Sequence, residues 1–206
     1  MSSEFRITHT ISKLGKRAKN QSKNGTTYMK STFCLLLLFF TFFSYGQEKT
    51  IIKPSQQYSF NVNDSAKDFV VQMINGEKIK LSELKGKVVL LNFWATWCGS
   101  CLVEFHAFPS KIIEPFKNSA FILLPVSSGE TMEKVKDKMA QLRKDGIDFN
   151  VGIDPDRSIL HLYSKTAGVP RSFLIDKKGI IRYISIGYNE EKLNNMSSMI
   201  NKLLNE

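Results

Sequence analysis

Cys98 and Cys101, within Trp97-Cys98-Gly99-Ser100-Cys101, are the residues of this chain whose type and spacing most directly suggest chemistry. Two cysteines with two residues between them can close a disulfide across the first turn of a helix. The apolar run before them, 88–94, reads as a buried strand, so the cysteines should open the helix that follows. A helix N-terminus carries partial positive charge and unpaired N–H groups, which stabilise a thiolate. Cys98, expected at the exposed helix tip, is the candidate nucleophile. Cys101, about one turn deeper, is the candidate resolving thiol. A purely structural disulfide is a poor explanation, because a four-residue loop gains little chain-entropy stabilisation. Zinc would need a second ligand pair. His106 and His161, the histidines beyond residue 47, belong to no such motif, and no metal is expected.

The elements that must position these sulfurs can be read from periodicity and turn signals. A strand over 68–74, the hairpin signal Asn75-Gly76 and a return strand over 78–81 form an N-terminal β-hairpin. A short helical turn over 82–86 leads to the central strand, 87–94, whose unbroken hydrophobicity suits burial on both faces. The helix from Cys98 should run to about Lys117, with Pro109 forcing a kink or a break. A second buried strand is expected over 121–126. An amphipathic helix follows over 130–144, with Met132, Val135, Met139 and Leu142 on one face and Gly146 as its end. A short strand over 149–153 and a short helix over 158–163 come next. A hairpin then pairs 172–176 with 180–186, turning at Lys177-Lys178-Gly179, which reads as a charged turn. The last helix places Leu193, Met196, Ile200 and Leu203 on one face. The expected class is α/β: a central mixed sheet with helices on both faces, in one domain over 65–206.

Charge narrows the partners. The chain carries a formal net charge of +10. Residues 1–30 hold seven Lys/Arg against Glu4, while residues from Gln47 onward are only +4. The folded part is thus mildly basic, and no nucleic-acid partner is expected. The apolar run 33–45 is short for a membrane span but fits the core of a signal peptide. Lys30 supplies its positive flank, and Ser44-Tyr45-Gly46 a cleavage site that leaves Gln47 as the new terminus. The expected organisation is a basic extension over 1–28, disordered or untranslated upstream of Met29. A signal peptide (29–46), a linker (47–64) and the domain follow. An uncleaved anchor over 33–45 is the second reading. Cys34 precedes the leucines and does not read as an acylation site. Export places the protein in the periplasm or cell envelope, where its two remaining cysteines would pair by default.

Two segments together carry a family resemblance. The run 81–98, Leu-Ser-Glu-Leu-Lys-Gly-Lys-Val-Val-Leu-Leu-Asn-Phe-Trp-Ala-Thr-Trp-Cys, and the run Gly168-Val169-Pro170-Arg171-Ser172-Phe173-Leu174-Ile175-Asp176 resemble the TlpA/ResA-like branch of the thioredoxin superfamily. That resemblance implies a thioredoxin-like fold and an exported thiol-disulfide oxidoreductase. Its usual direction would be reduction, with protein disulfides or thiols as substrates, a membrane redox partner as electron source, and no cofactor. Apocytochrome c thiols are one familiar substrate class. The resemblance makes Pro170 a cis-proline facing the cysteines, with the backbone of Val169 turned toward an extended substrate; a trans turn proline is the plain alternative. It gives Glu104 a part in moving the proton of Cys101, against the reading of a solvated helix glutamate. Asn92 takes the place of the buried aspartate of cytoplasmic thioredoxins, and Ser100 that of a common proline. Trp97 would cover the disulfide, Trp94 belong to the core, and Arg171 lie solvated at the surface or near Cys98.

Other classes fit these residues less well. A thiol peroxidase (AhpC/TSA-like) would need proline and threonine seven and three residues before its cysteine, where Leu91 and Ala95 stand; Thr96 is at the wrong offset. A copper-binding module would need one more residue between the cysteines and a nearby histidine, and nothing brings His161 there. A disulfide isomerase would need a dimerisation element that the sequence does not display.

Overall fold

The computed structural model describes residues 59–206, so the expectations for 1–58 lie outside the described residues. The fold is organised by β3 (Val88–Trp94), whose seven residues are all buried. Val88, Leu90 and Trp94 point into one apolar cluster, and Val89, Leu91 and Phe93 into another. This alternation follows from the two-residue period of a strand, and it places Asn92 on the face of Trp94.

Six other strands flank β3: β1 (Val70–Met73), β2 (Lys78–Lys80), β4 (Phe121–Ser128), β5 (Gly152–Asp154), β6 (Arg171–Ile175) and β7 (Ile181–Ile186). Their order is β2-β1-β5-β4-β3-β6-β7. The β3–β4 and β4–β5 pairs are parallel and the others antiparallel, giving a mixed sheet. Helices α1 (Gly99–Phe108), α3 (Met132–Lys144) and α5 (Glu190–Leu204) pack on the Trp94 face. Helix α4 (Ser158–Tyr163) packs on the other, where Tyr163 meets the rings of Phe60, Phe69, Phe93 and Phe173. Among the described residues no helix is long and apolar enough to cross a membrane.

Three departures from the expected elements have physical causes. The helix expected to run to about Lys117 reaches Phe116, but Pro109 opens a π-helical stretch, Pro109–Ile113, before a last turn, α2 (Glu114–Phe116). There the N–H of Glu114 reaches back to the carbonyl of Pro109. A single π turn absorbs the proline without ending the helix. The strand expected over 149–153 starts at Gly152; Phe149 is instead drawn into the cluster under the sheet, edge-on to Phe105 and tilted against Phe108. Gly152 itself lies so close to β1 that a Cβ there would strike the side chain of Val71. Finally, residues just before β1 lie along β7. Asn63 N–H donates to Ile181 O (2.7 Å), Ile181 N–H to Asp64 O (2.9 Å) and Ala66 N–H to Gly179 O (2.9 Å).

Candidate active site

The turn leaving β3 delivers the cysteines. Cys98 N–H donates to Ala95 O (3.1 Å), and Cys98 is the N-cap of α1. Its sulfur is bonded to that of Cys101 and accepts the Cys101 N–H at 3.2 Å. The hydroxyl of Ser100 lies 3.5 Å from the same sulfur. A backbone N–H aimed at sulfur at a helix N-terminus favours the thiolate once the bond opens. Cys98 is 5% exposed and Cys101 0%. Cys98 is therefore the more accessible of the two residues, but it is far more covered than the exposed tip expected. Trp97 is 65% exposed and offers a large apolar surface beside it, while Trp94 is core.

The second wall comes from the strand pairing. Phe93 is in register with Arg171, so Pro170 falls level with Trp94, at the sheet end from which the cysteine turn leaves. The Val169–Pro170 peptide is cis. Pro170 is buried and its carbonyl accepts Gly187 N–H (2.8 Å), whereas Val169 is half-buried. Arg171 is not the surface side chain expected. It is 2% exposed and folds back, donating through Nε to Gly168 O (3.2 Å) and through Nη2 to Thr166 Oγ1 (2.8 Å). The arginine braces the loop that presents the proline, so its charge is used inside the fold.

Behind the cysteines lies a buried polar chain. Glu104, one helical turn beyond Cys101, is 1% exposed. Asn92 Nδ2 donates both to Glu104 Oε2 (3.0 Å) and to Ser172 Oγ (2.9 Å). Burial pushes the Glu104 carboxyl up to about 7, although the Asn92 hydrogen bond favours the charged form and works against this. A carboxyl poised there takes up and releases protons near neutral pH. Asn92 Oδ1 has no hydrogen-bond partner among the described residues.

The model of the AhpC/TSA family matches residues 62–184. The chain belongs to this thioredoxin-like family. The thiol-disulfide oxidoreductase ResA of Bacillus subtilis is 34% identical over 135 residues, covering 66% of this chain and 73% of that protein. A solution structure assigned as a protein disulfide isomerase of Bacteroides thetaiotaomicron aligns with TM-score 0.67 and 33% identity, over 73% of this chain and 94% of its own. A crystal structure assigned as the thiol:disulfide interchange protein DsbE of Chlorobium tepidum aligns with TM-score 0.64 and 29% identity, over 71% and 99%. The likeness to ResA bears out the TlpA/ResA-like resemblance, and oxidoreduction of thiols and disulfides is the class of chemistry to which this family member belongs.

One group at the site was missed from the sequence. Glu130, 5% exposed, gathers donors from Thr96, Ser127 and Lys134. The only signal in the sequence is an acid at the start of the helix expected over 130–144, which reads as ordinary dipole compensation. His106 and His161 are exposed on α1 and α4. Leu91 and Ala95 are fully buried apolar residues. Lys177, read as part of a charged turn, reaches from it to the carbonyl of Leu204 (2.8 Å).

Proposed function

We propose that this protein is an exported thiol-disulfide reductase working through Cys98, Cys101 and Glu104. The observation that carries the proposal is the join of Cys98, at the N-terminus of α1, to buried Cys101, with Glu104 buried one turn further along the helix. In the reduced protein the Cys98 thiolate attacks one sulfur of a substrate disulfide. A mixed disulfide forms and the other substrate sulfur leaves as a thiolate. Cys101 then loses its proton, with Glu104 as the acceptor, and attacks Cys98. The intramolecular disulfide closes and the second substrate sulfur is released. Two electrons have passed from the protein to the substrate. A membrane redox partner returns them.

Trp97, Val169 and Pro170 form the substrate-facing surface in this reading. The exposed indole supplies apolar contact, and the half-buried Val169 offers backbone groups to an extended segment. Apocytochrome c, whose paired cysteines must be brought from disulfide to thiols, fits this chemistry. The apolar run 33–45 supports delivery to the periplasm or cell envelope as a cleaved signal or an anchor. A peroxidase reading finds little support, since the threonine nearest in sequence to Cys98, Thr96, has its hydroxyl held by Glu130 at 2.6 Å.

A redox titration of the Cys98–Cys101 pair, together with insulin reduction and trapping by Cys101→Ser, tests the proposal. A strongly reducing potential, turnover of insulin and mixed disulfides through Cys98 are expected. Sulfurs that fail to link under oxidant, or a folded protein that reduces no disulfide, would overturn it.

A further inference from the structure

Glu130 is a charged residue buried at a place the exchange chemistry does not itself explain. Its carboxylate is 2% exposed, yet it receives four hydrogen bonds. Oε2 accepts the backbone N–H of Thr96 (2.7 Å) and the hydroxyl of Ser127 (2.9 Å). Oε1 accepts the hydroxyl of Thr96 (2.6 Å) and the ammonium of Lys134 (2.8 Å). An isolated carboxylate would be costly to bury; four donors, one of them cationic, offset that penalty. Burial alone would push its proton affinity up, but the bonds from Lys134, Thr96 and Ser127 prevail and hold the carboxyl below its ordinary value.

Two of the donors are local. Ser127 is the penultimate residue of β4 and Lys134 lies in the first turn of α3, so both belong to the rigid frame. The other two come from a single residue 34 positions earlier, Thr96. Thr96 lies inside the turn closed by the Cys98 N–H bond to Ala95 O. Grasping both the N–H and the hydroxyl of Thr96 restrains that turn in position and in rotation. The turn in turn sets where the Cys98 sulfur meets the Cys101 N–H.

We infer that Glu130 is a positioning residue for Cys98: acting through Thr96, it anchors the turn that carries the attacking sulfur to the frame of β4 and α3. The inference rests on the reading of Cys98 as the attacking sulfur. Its test, however, uses alkylation of the reduced protein and needs no disulfide substrate, so its outcome stands apart from any failure to reduce insulin.

The experiment follows the pH dependence of iodoacetamide modification at Cys98, assigned by mass spectrometry, in wild type, Thr96→Val, Thr96→Ser and Glu130→Gln. Loosening the turn weakens the N–H contact to the thiolate. In Thr96→Val the midpoint is expected to rise by about half a pH unit, which is roughly a threefold loss of thiolate below the midpoint. Thr96→Ser restores the hydroxyl and is expected to restore the wild-type midpoint. Glu130→Gln separates position from charge, because removing a negative charge by itself makes a nearby thiolate easier to form and lowers the midpoint. A rise is expected instead. If Glu130→Gln does not fold, the Thr96 pair decides. A midpoint unchanged in Thr96→Val, even with a lowered melting temperature, or lowered in Glu130→Gln, would overturn the inference.

Discussion

Replacing Glu104 by glutamine probes the buried proton site through stability, without any substrate. The perturbation removes the titrating group and keeps a side chain of similar shape. In the folded protein the carboxyl titrates at about 7, against an ordinary value near 4.5, because burial disfavours its charge. In the unfolded chain it ionises near the ordinary value. Between these two pH values the folded state therefore holds a proton that the unfolded state has released. Stability falls as pH rises through this window. The contribution is fully present below about 4.5 and fully lost above about 7. The gap corresponds to roughly 3 kcal/mol, at about 1.4 kcal/mol per pH unit. The oxidised protein is the right sample, since its bonded cysteines do not titrate. Urea unfolding of wild type and Glu104→Gln at intervals from pH 4 to 9 gives two profiles. Their difference should grow by about 3 kcal/mol in favour of the variant as pH rises, and flatten above pH 8. Parallel profiles would refute the assignment of a buried, near-neutral carboxyl.

In stopped-flow disulfide exchange, Glu104→Gln is expected to be slower than wild type near neutral pH and to lose the inflection near pH 7; an unchanged pH profile would remove Glu104 from the proton path. Asn92→Val deletes the hydrogen bond that favours the charged form, so the Glu104 midpoint should move further up, read from its side-chain carboxyl resonance by NMR. Tyr163→Phe deletes a bond to the Lys67 carbonyl that spans 96 positions of sequence. A loss of about 1 kcal/mol is expected in chemical denaturation, with faster amide exchange just before β1.

Local pattern carried much of this fold. The unbroken apolar run of β3 announced burial on both faces, and the stripe Leu193, Met196, Ile200 and Leu203 lies buried in α5. The period of two in β3 put Asn92 on the α1 side, but its contact with Glu104 became visible only with the helix docked. An arginine beside a turn proline is usually solvated; the burial of Arg171 depends on the loop carrying Gly168 and Thr166 folding over it, which no local pattern displays. Glu130 was illegible for a related reason. Its partner Thr96 is distant in sequence, and no local periodicity records a bond between a turn and the foot of a helix. Site chemistry built from neighbours in sequence, such as Cys98 and Cys101, is readable; chemistry built across the sheet is not.

The sheet terminates on β2, a strand of only three residues whose two ends are the exposed lysines Lys78 and Lys80. A foreign strand seeking to extend the ladder there would find a short template flanked by two ammonium groups, poorly suited to fibril-like growth. Replacing both lysines with valine would leave the redox pair intact and convert the border into an adhesive seam.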